Sequence, residues 1–407
     1  MKKKIIILGC MDTKGQEYAF IKDIIEKAGC DTLVIDVGVI NPPLFKPDIS
    51  REEIAKAAGE DFSQLIKEGP TREKIAPIMT EGATKLVVDL AKDKKVDGII
   101  SLGGTQGTSL ATNAMRALPV GFPKVMVSTM ASGDTFKFVG LRDITMMNSV
   151  ADIMGLNRVT RKILANAAGA VCGMVGVDKD SVITDKQLIA ITTVGVTTPG
   201  AMAAKKVLED AGYETVVFHA VGTGGQAMEQ LVKEGDIKGL LDIATVEVIN
   251  QMLGGFLAAT PERMTVATKM GIPQVICPGA IGDVVFGPPE EIPEKFKGRA
   301  YAIHSSLFSC VRTTAEEVRA LAVEQAKRVN PAKGPIEWFI PMKGFCSHSV
   351  EGAPIHDPES DMAYVDELKK QLRDDIPIHT RDTDINDPAF AAEIAKHLIE
   401  LMKKKYG

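Results

Sequence analysis

The sequence predicts an α/β protein built from two doubly wound, Rossmann-like domains with mainly parallel sheets. Three observations lead there. Apolar, β-branched strands alternate with amphipathic helices along the whole chain. The same strand–turn–helix–strand scheme is written twice. At 407 residues the chain is also longer than one hydrophobic core usually organises.

The repeat pairs Ile5 with Leu188 and Asp36 with His219 at a constant offset. In the first copy KKKIIILG reads as a strand, GQEYAFIKDIIEKAG as a helix with Ile21, Ile24 and Ile25 on one face, and TLVIDVG as a second strand. In the second copy LIAITTVG, PGAMAAKKVLEDAG and TVVFHAVG repeat the order, with Pro199 opening the helix. Both helices exit through Ala-Gly, at Gly29 and Gly212, as glycine C-caps do. Further strands are expected at Gly98–Leu102, Lys124–Ser128, Leu240–Ala244 and Gln274–Cys277. Near-continuous apolar strands between helices indicate parallel sheets covered on both faces. The polar stretch GVDKDSVITDKQ marks the boundary, giving domains of residues 1–180 and 181–407.

Composition narrows the function. With 45% apolar and 25% charged residues this is an ordinary globular chain, and its net charge of −5 argues against a nucleic-acid backbone as main partner. The apolar part of MKKKIIILGC is too short for a secretion signal, and no run reaches membrane-spanning length, so a cytoplasmic protein with no membrane partner is expected. Six scattered cysteines without a CxxC pair read as free, packing thiols. All six histidines lie in the second half.

In doubly wound sheets ligands bind beyond the carboxyl ends of the strands, where helix N-termini present free N–H groups. SLGGTQGTS follows such a strand. Gly103, Gly104 and Gly107 allow a close backbone approach to an anion, and Thr105 and Thr108 add hydroxyls. STMASGDT, containing Ser128, Ser132 and Gly133, follows the next strand; Gly9 leads into Asp12, Thr13 and Lys14 after the first. Asp36 ends the second strand, where an acidic residue can accept from ribose hydroxyls. Three such loops in one half point to a phosphorylated, nucleotide-like ligand. There is neither a GxGxxG fingerprint nor a Gly-Lys dipeptide, so nicotinamide-type and Walker A binding are not expected.

In the second half His219, Glu247, His304, Arg312 and Lys343 stand at or near strand ends, as a cleft that binds a small carboxylate or phosphate and moves a proton would require. Glu247 has a plainer reading at a helix N-terminus, Thr314 with Glu317 reads as a capping box, and Asp357-Pro358 and Asp387-Pro388 read as helix starts. His348, His356, Asp357 and Asp361 form a loose cluster whose spacing matches no zinc signature.

The stretches GCMDTKGQE, SLGGTQGTSLATNAMRALPVGFPKVMVSTMASGDT, SVADIMGLN, HAVGTGGQAME, PGAIGDVVFG, VRTTAEE and INDPAFA make the chain resemble one family over essentially its whole length. It comprises bacterial, archaeal and fungal proteins related to the ATP-binding N-terminal region of the tomato mosaic virus resistance protein. The resemblance implies ATP in the first domain and a homodimer. On matching positions it places the nucleotide at Gly9, Thr13, Asp36, Gly103, Gly104, Thr105, Gly107, Thr108, Ser128, Ser132 and Gly133. Asp143, Asn148 and Asp152 follow as residues to complete the pocket or, at Asp152, to hold Mg2+. The chain departs from the family at Leu141-Arg142-Asp143-Ile144, which makes the rim more basic, and at PGAIGD, which shifts an acid to Asp283. Joined to the glycine-rich loops, the resemblance implies an ATP-binding protein; the alternative is an enzyme acting on a small carboxylate or phosphorylated substrate in the second cleft.

Overall fold

The computed structural model describes residues 2–69, 71–178, 181 and 183–407. Residues Lys179, Asp180 and Val182 of the expected boundary stretch lie outside the described residues. The chain divides into two units, Met1–Ile183 and Thr184–Gly407.

The first unit runs β1 (Lys4–Gly9), α1 (Gly15–Lys27), β2 (Asp31–Asp36), α2 (Arg51–Ala57), α3 (Phe62–Lys67), α4 (Arg72–Lys92), β3 (Gly98–Gly103), α5 (Thr105–Arg116), β4 (Lys124–Ser128), α6 (Phe136–Val139), β5 (Thr145–Asn148) and α7 (Arg158–Gly176). Its five strands lie in the order β2-β1-β3-β4-β5, all parallel. The interior strand β1 shows why the apolar run is unbroken. Ile5 and Ile7 pack with Tyr18, Ile21 and Ile25 of α1 and Leu164 and Val171 of α7. Ile6 and Leu8 face the other way, onto Met79 and Val87 of α4 and Leu110 of α5. Successive side chains point to opposite faces, so both faces must be apolar once both are covered.

The second unit runs β6 (Leu188–Thr193), α8 (Thr198–Asp210), β7 (Glu214–His219), α9 (Thr223–Glu234), β8 (Ile237–Ala244), α10 (Val246–Leu253), α11 (Thr265–Met270), β9 (Gln274–Gly279), β10 (Asp283–Phe286), β11 (Tyr301–Ser305), β12 (Phe308–Arg312), α12 (Ala315–Val329), β13 (Ile336–Pro341), α13 (Pro358–Gln371), β14 (Ile378–Arg381) and α14 (Pro388–Tyr406). Its parallel sheet has the order β14-β13-β9-β8-β6-β7. The repeat is thus structural: β1-α1-β2 and β6-α8-β7 are the same parallel unit, and Gly29 and Gly212 both leave their helices at positive φ. The periodicity did not disclose a second sheet, the antiparallel β10-β12-β11. Its short strands are inserted between β9 and α12, ahead of the helix that completes the crossover to β13.

Thr314 with Glu317, Asp357 and Asp387 cap α12, α13 and α14 through their side chains, as their spacing predicts. Among the described residues no helix is long and apolar enough to cross a membrane.

Candidate functional site

In the first sheet the chain reverses its direction of travel between β1 and β3, leaving a crevice at their carboxyl ends. A cavity of about 920 Å³ opens there. Gly9, Cys10, Asp12, Thr13 and Lys14 line it after β1, Gly103 to Gly107 after β3, and Asp152 stands at its edge. Ile40, Ile66, Ile75, Met79 and Leu110 form an apolar wall.

The glycines have different reasons to be glycine. A Cβ on Gly9 would overlap the Tyr18 hydroxyl, which donates to the Leu102 carbonyl at 2.6 Å and ties α1 to β3. A Cβ on Gly103 would press on the Gly107 Cα at 3.1 Å. Gly104 differs: its φ is −81°, and a Cβ there would meet only Thr129 Oγ1, at 3.7 Å. Gly107, in the first turn of α5, would bring its Cβ only to ordinary contact with the Leu102 carbonyl at 3.6 Å. Neither is required by backbone conformation or by crowding inside the chain, and no side chain caps the N-terminus of α5.

The crevice gathers Gly9, Asp12, Thr13, Gly103, Gly104, Thr105, Gly107 and Asp152 but not the rest of the sequence-derived set. Asp36 is buried beneath the β1 loop, its Oδ1 accepting from the Met11 and Gly38 amides at 2.9 Å each, so it shapes the loop rather than facing a ribose. Thr108 and Ser128 spend their hydroxyls on each other at 2.6 Å, bracing the loops after β3 and β4. Ser132 and Gly133 are exposed in the turn after β4, and Asn148 closes its own turn onto the Val150 amide. Asp143 belongs to the opposite edge: it pairs at 2.6 Å with Lys124, the first residue of β4, and accepts from Gly121 N–H. Arg142 likewise turns back, donating to the Arg116 carbonyl. Burial, reinforced by Asp12 and Asp36, pushes the Cys10 thiol up to about 12 and so favours its protonated form.

The second unit has a smaller cleft, about 310 Å³, beyond β6 and β8. His219 and His304 line it with Asp283, Cys310 and mostly apolar side chains. The other three residues assigned to this cleft point elsewhere. Lys343 pairs with Asp382 at the surface. Arg312 is buried and donates through Nη2 to Asp361 Oδ1 at 2.6 Å and to the Asp357 carbonyl. Those two pairings also break up the loose His348, His356, Asp357 and Asp361 cluster, because Asp357 caps α13 and Asp361 serves Arg312.

Glu247 belongs to a buried charge cluster that sequence reading missed. Arg263 is 1% exposed; it grips Asp242 through both terminal nitrogens at 2.7 and 2.6 Å and Glu247 Oε2 through Nε at 2.7 Å, with Glu229 at 3.8 Å. Glu247 Oε1 also accepts from the Gly222 and Gly225 amides, so the glycines of VGTGGQAME wrap a protein carboxylate and not a ligand. The signal in the sequence was Asp242, an acid inside the apolar run GLLDIA that had to find a buried cation.

One cation among three buried carboxylates leaves Glu229 short of charge compensation. Burial outweighs Arg263 and raises its carboxyl to about 7 from 4.5. Between those values only the folded chain keeps the proton, so stability is complete below about pH 4.5 and falls as pH rises towards 7. The expected loss is on the order of 3 kcal/mol by linkage. Urea unfolding across this range should show a steeper pH dependence for the native chain than for Glu229→Gln; equal slopes would remove Glu229 as the titrating group.

Fold and site together define a class: a two-unit, doubly wound α/β protein with a glycine-lined crevice at the switch point of its first sheet. The chain belongs to the uncharacterised protein family UPF0261, whose N-terminal domain model matches residues 3–180 and whose C-terminal domain model matches residues 186–402. A UPF0261 protein of Clostridium tetani is 47% identical over 99% of this chain and 100% of its own length. The ToMV resistance protein Tm-1(GCR237) of Solanum lycopersicum is 37% identical over 79% of this chain, which spans 44% of the tomato protein. Among solved structures, UDP-N-acetylglucosamine 2-epimerase from Rickettsia bellii aligns with 100% of this chain and 97% of its own at 10% identity and a TM-score of 0.24, too distant to bear on substrate.

Proposed function

We propose that the first unit binds ATP in the crevice between the β1 and β3 loops. The observation that carries the reading is the pair Gly104 and Gly107, small where nothing within the chain requires smallness. In a helix a glycine costs roughly 0.5–1 kcal/mol relative to alanine, so Gly107 in the first turn of α5 is a stability sacrifice that close approach of a ligand would explain. The free N–H groups at the start of α5 suit phosphate oxygens. Ile66, Ile75, Met79 and Leu110 offer the base an apolar wall, and the cavity volume lies at the upper end of the range usual for small-molecule sites.

Magnesium fits the same reading. Asp152 Oδ1 accepts from the Ile153 amide, and its Oδ2 has no hydrogen-bond partner among the described residues. A single carboxylate beside phosphate oxygens is the usual way a protein holds this ion. The small-acid reading of the second cleft has less support, because Arg312 and Lys343 are both engaged outside it.

Calorimetric titration with ATP and magnesium, with ADP, GTP and nicotinamide dinucleotide in parallel, tests the proposal. One ATP per chain is expected, and no heat with any nucleotide would overturn it. Gly107→Ala should stabilise the free protein by up to about 1 kcal/mol while weakening ATP. A stabilised variant with unchanged affinity would mean that phosphate does not approach this turn.

A further inference from the structure

The second cleft carries a donor set that the nucleotide reading does not use. Asp283 opens β10, Cys310 lies on β12 opposite Val285, and His348 comes from the loop after β13. One ligand atom from each lies within 4.8 Å of the other two. His348 Nδ1 is 3.3 Å from Asp283 Oδ2, and a second thiol, Cys346 Sγ, stands 3.7 Å from Asp283 Oδ1. Asp283 and Cys310 both form the cleft wall, so the cluster is reachable from the cavity.

The charge balance is unusual. The Asp283 side chain is 3% exposed, and among the described residues no lysine or arginine makes an ion pair with it: Arg312, its cross-strand partner on β12, gives its Nη2 to Asp361, and the basic group within ion-pair distance is His348. A buried carboxylate without a fixed cation is costly. Elsewhere in this unit the buried acids of the Arg263 cluster share one arginine, and Asp361 pairs with Arg312. Around Asp283 the neighbours are instead two thiols and an imidazole, groups that bind soft or borderline cations. Donors held about 2.0–2.3 Å from one tetrahedral ion stand roughly 3.3–3.8 Å apart, and the 3.3 Å between His348 and Asp283 already falls in that range.

We propose that Asp283, Cys310 and His348 form a binding site for a divalent cation of the zinc class, set in the wall of the second cleft. Three protein donors leave a fourth position for water or a bound molecule, as in zinc sites that act as Lewis acids. The apolar walls around it, Val194, Val221, Leu257, Val285 and Phe308, suit a small ligand with an apolar body. On binding, the Cys310 thiol gives up its proton to solvent and the cation pairs with the Asp283 carboxylate.

The rival cluster is Glu337, His379 and His397, where one carboxylate oxygen meets both imidazoles at 3.1 and 2.8 Å. It contains no sulfur, and that separates the two. Full-length protein freed of metal by chelation is titrated with Co2+ alone and followed optically, then back-titrated with Zn2+. The expected result is one Co2+ per chain with a near-ultraviolet thiolate-to-cobalt band, displaced by Zn2+. In Cys310→Ser, which keeps the buried volume, the band should vanish and affinity fall by roughly 100-fold or more, beyond the 10–100-fold typical of outer-sphere changes. Absence of binding by the folded native chain overturns the proposal. So does binding without the sulfur band that His379→Ala abolishes, which assigns the ion to the rival cluster. A band that survives Cys310→Ser and disappears in Cys346→Ser would overturn the donor set.

Discussion

Gly104→Val is expected to remove ATP binding from a protein that still folds. The backbone at Gly104 has φ −81°, accessible to any residue, and the nearest atom to a new Cβ is Thr129 Oγ1 at 3.7 Å. The new Cβ therefore makes only ordinary contact with the protein, and the branched side chain fills space beside the N-terminus of α5. There it keeps phosphate oxygens from the free N–H groups. A loss of two decades or more in affinity is expected, about 2.8 kcal/mol or more. Gly9→Ala is the contrasting variant: its Cβ would overlap the Tyr18 hydroxyl, so it should lower thermal stability before it says anything about ligand. Calorimetry and thermal unfolding of both variants separate the two kinds of glycine. A folded Gly104→Val chain with native affinity would take this loop out of the site.

The largest effect on stability is expected from Arg263→Met. The variant keeps most of the side-chain volume but leaves Asp242, Glu247 and Glu229 buried together without a cation. Removing one partner of a buried ion pair costs about 3–5 kcal/mol, because the charge left behind is desolvated and uncompensated. For a unit of this size that is on the order of 10 °C in melting temperature. The deficit should shrink as pH falls from 8 towards 5, since protonation neutralises the stranded acids and the folded state holds those protons more tightly than the unfolded chain. Urea unfolding at both pH values measures it. Native stability at pH 8 would show that the cluster carries no such energy.

Much of the architecture was legible because periodicity is a local property. Apolar runs such as IIIL, helix faces such as Ile21 with Ile25, and the Ala-Gly exits at Gly29 and Gly212 report their own structure without knowledge of the rest of the chain. The repeat and the placing of glycine-rich turns after strands follow from the same information. The antiparallel β10-β12-β11 sheet was not legible, since its short strands, such as DVVF, carry too little pattern to separate them from crossover segments.

By itself, then, the sequence determined the elements, their doubly wound character and the loops that could face a ligand. The tertiary structure alone decided which loops meet. The order β2-β1-β3 sets the Cys10–Lys14 loop beside Gly103–Gly107, while β4 and β5 lie further along the sheet, away from the crevice. Side-chain direction then turned Thr108 onto Ser128, and strand polarity put Asp143 at the wrong end of β4. Arg263 with Asp242, and Asp283 with Cys310 and His348, are joined only by folding. The physical reason is that spacing along a chain encodes conformation over a few residues, whereas proximity across it depends on strand order and register, which are set by the packing of the whole unit.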